Sequence, residues 1–158
     1  LRRFKFSGQK GYAATYGPIL AQAVRTYLPG SYDVLTWVPV SPARRKERGY
    51  DQARLLAEEA ARVLEVPALP LLSKTRDTPP QSGLEEAGQR RANVLGVYRA
   101  PDAAAGLRVL LADDVVTTGS TLSECARTLL TAGAAEVVCV TLAQARKDRP
   151  EKPRKTAK

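Results

Sequence analysis

The sequence predicts an α/β fold in which helices flank a mostly parallel sheet on both faces. Three observations lead to this prediction. Apolar residues recur at helical spacing in three segments, several short segments are continuously apolar, and the two kinds of segment alternate along the chain. Continuously apolar strands are typical of parallel sheets that are buried on both faces. The 158 residues suffice for one domain with its own hydrophobic core.

The first half of the chain reads as helix, strand, loop and helix. The first helix is predicted over Tyr12–Leu28, and a strand rich in valine, tryptophan and threonine over Asp33–Val40. The basic segment Ser41–Gly49 is predicted to be a loop, and a second helix follows from about Tyr50 to Leu64. Leu69–Leu72 is a short strand candidate.

The second half contains a more regular strand–helix–strand pattern. We predict a polar loop over Ser73–Gly83, a short helix over Glu85–Asn93 and a short strand over Val97–Arg99. They are followed by a buried strand over Arg108–Asp113, a helix with one continuous apolar stripe over Ser120–Ala132 and a last buried strand over Val137–Leu142. Residues 146–158 hold seven basic and two acidic residues together with two prolines, so a disordered basic tail is expected after a domain of residues 1–145.

The composition excludes several kinds of site. There is no histidine, and Cys125 and Cys139 do not form a closely spaced pair, so neither a zinc site of the usual cysteine–histidine kind nor histidine-based nucleophilic catalysis is expected. Both cysteines lie in apolar segments and are predicted to be core residues. The net charge of +9 favours a polyanionic partner, either a phosphorylated small molecule or a nucleic acid.

The distribution of apolar residues also indicates in which cellular compartment the protein is found. No apolar run approaches the length needed to cross a bilayer, and no leader with a small-residue cleavage site is present. We therefore expect a cytoplasmic protein without a membrane span.

The segment from Val109 to Thr121 carries the most chemistry. A buried strand ends in two acids, and a short loop with a glycine and several hydroxyl groups leads into a helix. Such a loop and the first turn of the helix offer N–H and O–H donors to a phosphate group, and paired carboxylates accept hydrogen bonds from the hydroxyl groups of a ribose. The predicted ribose 5-phosphate ligands are Asp113, Asp114, Val116, Thr117, Thr118, Gly119, Ser120 and Thr121.

A simpler interpretation of the same segment stays open. The turn from strand to helix could serve the fold alone, with Thr121 capping the helix and Glu124 completing a capping box. The two acids at the end of the strand would then only be solvated.

This segment resembles the signature of the type I phosphoribosyltransferases: apolar residues, two acids, two variable residues, then Thr117, Gly119 and Thr121 at alternate positions. Three further stretches resemble the ComF (competence protein F) family. The first is Val38-Pro39-Val40, then Arg44, then Lys46-Glu47-Arg48-Gly49-Tyr50-Asp51-Gln52-Ala53. The second runs from Arg76 to Leu84, and the third is Arg90-Arg91-Ala92-Asn93 with Gly96-Val97-Tyr98. Members of this family usually begin with a zinc-binding module, and this chain starts where that module would have ended.

The resemblance implies a single-domain type I phosphoribosyltransferase fold that binds phosphoribosyl diphosphate. It implies Asp113 and Asp114 as the catalytic residues, which hold the ribose and contact Mg²⁺ that the ligand carries. It also implies pyrophosphate binding by the segment after the first core strand and by a flap over Lys74–Leu84. The residues concerned are Ser41, Arg44, Lys46, Arg48, Gly49, Lys74 and Arg76.

The reaction itself stays open between three classes. The chain could be a phosphoribosyltransferase that transfers phosphoribosyl to a nitrogen acceptor. It could instead be a ComF-type accessory protein that handles imported single-stranded DNA together with other competence proteins, or a regulator that binds phosphoribosyl diphosphate without catalysis. A homodimer is a further open alternative.

Overall fold

The computed structural model of the chain describes residues 11–28, 30, 32–75 and 95–145. The described elements are, in chain order, α1 (Gly11–Tyr27), β1 (Val34–Trp37), α2 (Pro42–Arg48), α3 (Gln52–Leu64), β2 (Ser73–Lys74), β3 (Tyr98–Arg99), β4 (Arg108–Val116), α4 (Ser120–Thr131) and β5 (Glu136–Gln144). A short 3-10 turn over Asp102–Ala104 precedes β4. The predicted alternation of helices and strands is confirmed.

A parallel sheet forms the centre, with β4 between β1 and β5. Val34 of β1 lies opposite Val109, and Arg108 at the start of β4 lies opposite Glu136 of β5. Since all three strands run in the same direction, their carboxyl ends lie at one edge of the sheet. The strands β2 and β3 form a separate antiparallel pair in which Ser73 lies opposite Arg99.

Two apolar layers bury the two faces of the sheet. Alternation along β4 places Leu110 and Ala112 in a layer with α1 and α3, and Val109 and Leu111 in a layer with α4 and β3. Leu56 of α3 is completely buried in the first layer. This arrangement, with helices on both faces of a parallel sheet, is the predicted fold class.

The prediction of a loop over Ser41–Gly49 was wrong, because residues 42–48 form α2. Proline is favoured at the first position of a helix, where its missing N–H leaves no bond unmade, and Pro42 occupies that position. Alanine, arginine, lysine and glutamate, which are good helix formers, fill the rest of the segment. The Arg45 N–H donates to the Ser41 carbonyl at 2.9 Å, and the Gly49 N–H donates to the Arg45 carbonyl at 2.8 Å.

The strand predicted over Leu69–Leu72 was also wrong. A single parallel bridge joins Ala68 to Leu35, and the short strand β2 begins only at Ser73. Pro70 has no N–H for a continuous ladder. The Leu71 N–H instead donates to the buried Thr36 hydroxyl at 3.2 Å.

Other boundaries differ from the prediction in the second half. The strand β4 continues three residues beyond Asp113, because its last residues pair with the equally extended end of β5 up to Gln144. Cys125 is buried, as predicted, but Cys139 is exposed on β5, which is the last strand of the sheet among the described residues. The helix predicted over Glu85–Asn93 and the basic tail over residues 146–158 lie outside the described residues.

No helix in the described part of the chain is both long and apolar enough to cross a membrane.

Candidate functional site

Two loops leave the carboxyl edge of the sheet side by side. The β1–α2 loop (Val38–Ser41) follows β1, and the β4–α4 loop (Thr117–Gly119) follows β4. The Val38 N–H still donates to the Ala112 carbonyl, at 3.0 Å, so the β1–α2 loop begins beside the two acids of β4. Clefts at this edge are where ligands bind in open parallel sheets.

The β4–α4 loop presents hydroxyl groups at the start of α4. Gly119 is the N-cap of this helix and has a φ of 77°, which is left-handed backbone. Two hydroxyl oxygens, on Thr118 and Ser120, lie 2.9 Å apart, and the Ser120 N–H donates to the Thr118 hydroxyl at 3.4 Å. The side chains and the helix N-terminus together form an arrangement suited to a phosphate group.

The capping box of the simpler interpretation is wrong. The N-cap of α4 is Gly119 rather than Thr121. Because glycine has no side chain, this cap makes no side-chain hydrogen bond to the helix. Glu124 makes other contacts: its carboxylate accepts from the Gly96 N–H at 2.8 Å and from the Arg127 guanidinium at 2.7 Å. The fold therefore does not use this carboxylate to close the turn in front of α4.

The two acids lie at successive positions near the end of β4. Each carboxylate accepts a hydrogen bond from the next backbone N–H, Asp113 from Asp114 at 2.8 Å and Asp114 from Val115 at 2.7 Å. Asp114 is buried and Asp113 half-buried. Strand alternation puts them on opposite faces, and Asp113 lies on the α4 side, where its charge helps to raise the pKa of Cys125.

Lys74 shares the region of Asp113 and α4. Its ammonium lies 5.8 Å from the centre of the Tyr98 ring on the neighbouring strand β3. Burial is the main cause that raises the pKa of the Cys125 thiol, the negative charge of Asp113 adds to it, and the positive charge of Lys74 opposes it. Lys74 and Asp113 therefore act on the same buried thiol. Arg76 lies outside the described residues.

The remaining residues predicted to bind pyrophosphate lie on or next to α2. Ser41 is buried at the end of the β1–α2 loop, and Lys46 is exposed on the helix. Arg44 and Arg48 belong to α2 by their backbone, and their side chains lie outside the described part. Gly49 follows directly after the helix. The structure thus places this basic segment after the β1–α2 loop, on a helix instead of in the loop.

Asp51 is a residue at this edge for which the sequence predicted no role. It is 7% exposed and is the N-cap of α3, where one carboxylate oxygen accepts from the Arg54 N–H at 3.1 Å. The other oxygen accepts from the Val40 N–H in the β1–α2 loop at 3.3 Å. Burial raises the pKa of Asp51, while these hydrogen bonds and the charge of Arg45 act against the rise. An aspartate directly before a helical pattern is a cap signal that could have been read.

The donor set fits Mg²⁺ that a phosphorylated ligand brings with it. Within the described ranges no group of three or more metal-ligating side chains occurs. Mg²⁺ commonly binds through one or two carboxylates together with phosphate oxygens and water. Asp113, half-buried on the α4 side of β4, and Asp114, buried on the other side, each offer one carboxylate for that role.

A cavity of about 370 Å³ lies at the opposite end of the sheet. Its lining comes from the end of α1, the approach to β1 and the end of α3: Val24, Arg25, Leu28, Gly30, Tyr32, Leu64 and Val66. It is remote from the acids and hydroxyls of the carboxyl edge and contains none of the predicted site residues.

Sequence comparison matches residues 51–158 to the family "Phosphoribosyl transferase domain". Competence protein F of Haemophilus influenzae is 34% identical over 92% of this chain and 66% of its own length. Competence protein ComFC of Bacillus subtilis is 31% identical over 87% of this chain and 55% of its own length. The DNA utilization protein YhgH of Escherichia coli K12 is 32% identical over 87% of this chain and 62% of its own length. The chain thus spans less than two thirds of these relatives.

Solved structures share the fold. The glutamine phosphoribosylpyrophosphate amidotransferase of B. subtilis, complexed with ADP and GMP, superposes with a TM-score of 0.55 and 25% identity over 80% of this chain and 25% of that chain. An adenine phosphoribosyltransferase superposes with a TM-score of 0.53 and 12% identity over 90% of this chain and 73% of that chain. The type I phosphoribosyltransferase fold is confirmed.

Proposed function

Because the chain belongs to the phosphoribosyl transferase domain family, in its ComF branch, we propose that it binds phosphoribosyl diphosphate with Mg²⁺ and transfers phosphoribosyl to a nitrogen acceptor. The observation that carries this proposal is the β4–α4 segment. There two acids, a hydroxyl-rich loop and a helix N-terminus with a glycine N-cap follow one another within nine residues.

The 5-phosphate would bind at the β4–α4 loop. The hydroxyls of Thr118 and Ser120 already lie within hydrogen-bonding distance of each other, so both can turn toward one bound anion. The first turn of α4 adds N–H groups and the positive end of the helix dipole. Hydrogen bonds to a charged group contribute about 1.5–3 kcal/mol each, so a few of them suffice for binding.

The ribose and the pyrophosphate would extend from this loop along the carboxyl edge. Asp113 and Asp114 accept hydrogen bonds from the ribose hydroxyls, and the Ser41–Gly49 segment lies after the neighbouring strand. Lys46 of α2 is exposed there, and Lys74 of β2 lies beside Tyr98, which packs in the apolar layer of α4. Arg44, Arg48 and Gly49 of the same segment, and Arg76 beyond β2, complete the proposed pyrophosphate ligands.

In the proposed reaction a nitrogen atom of the acceptor forms a bond to C1 of the ribose, and the bond from C1 to pyrophosphate breaks. The acceptor supplies the electron pair and loses one proton to water, and pyrophosphate leaves with the electrons of the broken bond. Cations beside the leaving group stabilise its developing charge. Bound Mg²⁺ would neutralise phosphate charge, held by ligand oxygens with Asp113 and Asp114.

Calorimetric titration with phosphoribosyl diphosphate tests binding, and pyrophosphate release with each nucleobase tests transfer. We expect binding that strengthens when Mg²⁺ is added, and pyrophosphate release with at least one acceptor. Binding without release for any acceptor would favour the regulator over the transferase. No binding with or without Mg²⁺ would contradict the proposal as a whole.

A second candidate function is suggested by the names of the relatives, which are competence and DNA utilization proteins. In this alternative the chain is an accessory protein that binds single-stranded DNA, with other competence proteins as partners. Its net charge of +9 would support contacts with DNA phosphates, and counterion release would make the affinity fall as salt rises.

Deletion of residues 147–158 tests this alternative, because it removes six basic and two acidic residues. If the removed cations contact DNA, the slope of log K against log salt concentration should fall by several units, at about 0.7 per contact. The affinity for phosphoribosyl diphosphate should stay unchanged. An unchanged slope would place the DNA contacts on the domain instead, and no DNA binding at low salt would contradict the alternative.

A further inference from the structure

Asp51 connects two elements that meet at the carboxyl edge. Its Oδ1 accepts from the Arg54 N–H in the first turn of α3, and its Oδ2 accepts from the Val40 N–H in the β1–α2 loop. The carboxylate is buried at this junction, and the positive charge of Arg45 on α2 also acts on it. The loop and α3 are therefore joined through the hydrogen bonds of one side chain.

We propose that Asp51 is a positioning residue that fixes the β1–α2 loop and the start of α2 for pyrophosphate binding. The inference rests on the proposed function, since it names a residue that shapes one half of that site. Asp51 itself does not have to touch the ligand.

Helix capping alone does not account for the contacts of Asp51. A cap needs only one side-chain oxygen, directed at the N–H groups of the first turn. The second oxygen is used on Val40, which lies 11 residues earlier in another element. The loop begins where Val38 is bonded to Ala112 of β4, so its two ends are held by the sheet and by Asp51. The segment that follows, from Ser41 through α2, carries the cations assigned to pyrophosphate.

The substitution Asp51→Asn separates the two contacts of Asp51, which are the helix cap at the Arg54 N–H and the hydrogen bond to the Val40 N–H, here called the tether. Asparagine caps helices about as well as aspartate, so its one oxygen can keep the bond to the Arg54 N–H. Its amide N–H₂ group then faces the Val40 N–H, and two donors cannot bond. The variant therefore loses the tether to the loop while the fold keeps its helix cap.

The experiment compares wild-type protein and Asp51→Asn by titration with inorganic pyrophosphate and with ribose 5-phosphate, and by hydrogen exchange of the Val40 amide without ligand. We expect pyrophosphate affinity to fall about tenfold, which corresponds to roughly one net hydrogen bond. Affinity for ribose 5-phosphate should stay the same, and the Val40 amide should exchange faster. A residue with a purely structural role would not produce this difference between the two ligands.

Asp33→Asn is the matched control. Asp33 also accepts a hydrogen bond from a backbone N–H, that of Arg108 at 2.8 Å, but at the amino edge of the sheet. This variant should leave the affinity for both ligands unchanged.

Two results would overturn the inference. One is Asp51→Asn with unchanged pyrophosphate affinity, and the other is an equal loss for both ligands together with lower thermal stability. If the wild-type protein binds neither ligand, the proposed function is overturned. The role of Asp51 in positioning the loop for pyrophosphate is then overturned with it. The exchange rate of the Val40 amide would in that case still show whether the tether exists.

Discussion

Replacement of Gly119 by valine is expected to weaken ribose 5-phosphate binding by about a hundredfold or more. Gly119 has a φ of 77° as the N-cap of α4, a conformation that costs residues with a Cβ about 1–2 kcal/mol and is least compatible with a β-branched side chain. The nearest side-chain atom to a Cβ at this position is 4.0 Å away, so the fold has room for the substitution. The effect therefore falls on the backbone of the loop. If the loop moves, two or more charged hydrogen bonds to phosphate are lost, each of about 1.5–3 kcal/mol.

Gly106→Val is the matched control for this variant. Gly106 has a φ of 74°, and a Cβ at this position would have no atom within 4 Å, so the backbone strain is similar. It lies just before β4, at the amino edge of the sheet. Both variants should lose similar thermal stability, but only Gly119→Val should lose binding of inorganic phosphate and ribose 5-phosphate in calorimetric titrations. Equal binding by the two variants would contradict a phosphate site at the β4–α4 loop.

The strand, loop and helix around Gly119 could be predicted because their signals are local. A buried apolar run, two acids, a glycine and an apolar stripe at helical spacing are all contained in consecutive residues of this segment. The helix predicted over Ser120–Ala132 differs by one residue from α4. The end of β4 was missed because its last residues depend on pairing with the end of β5, and aspartate is rare in strands.

The segment after β1 shows why the rest of the site was harder to predict. Its cations and the terminal Gly49 suggested a loop, whereas the helix propensity of the same residues, with Pro42 at the first position, favoured α2. The second contact of Asp51 joins residues that are 11 positions apart. Such a contact depends on how α3 packs beside the β1–α2 loop, and no periodic pattern in the sequence records that packing.

The structure also changes what is expected from the paired acids. The sequence predicted two equivalent carboxylates that both bind the hydroxyl groups of the ribose, but strand alternation places them on opposite faces of β4. Asp113 shares the face of α4 and influences Cys125 there, while Asp114 is 6% exposed. We therefore expect both acids to matter and Asp113 to matter more.

Asp113→Asn is expected to weaken phosphoribosyl diphosphate binding by about tenfold or more, and Asp114→Asn by a smaller factor. In the wild-type protein one oxygen of each carboxylate already accepts a backbone N–H, at 2.8 and 2.7 Å. Asparagine keeps an oxygen for that bond, so the end of β4 should stay intact, which alanine would not ensure. Both variants lose a negative charge and one acceptor. At Asp113 this removes a strong hydrogen bond to a ribose hydroxyl of about 1.5–3 kcal/mol, whereas the buried Asp114 carboxylate on the other face contributes less.

Calorimetric titration with three ligands, with and without Mg²⁺, separates this effect from that of Gly119→Val. Asp113→Asn should weaken ribose 5-phosphate and phosphoribosyl diphosphate but leave inorganic phosphate unchanged, since the acids are assigned to the ribose. The gain in affinity on adding Mg²⁺ should also shrink, because a neutral amide is a poorer ligand for this ion. Asp102→Asn, an exposed position in the turn before β4, should behave like the wild-type protein. If neither Asp113→Asn nor Asp114→Asn changed the affinity for ribose 5-phosphate, the acids would not contact the ribose, and the β4–α4 loop would be a phosphate site alone.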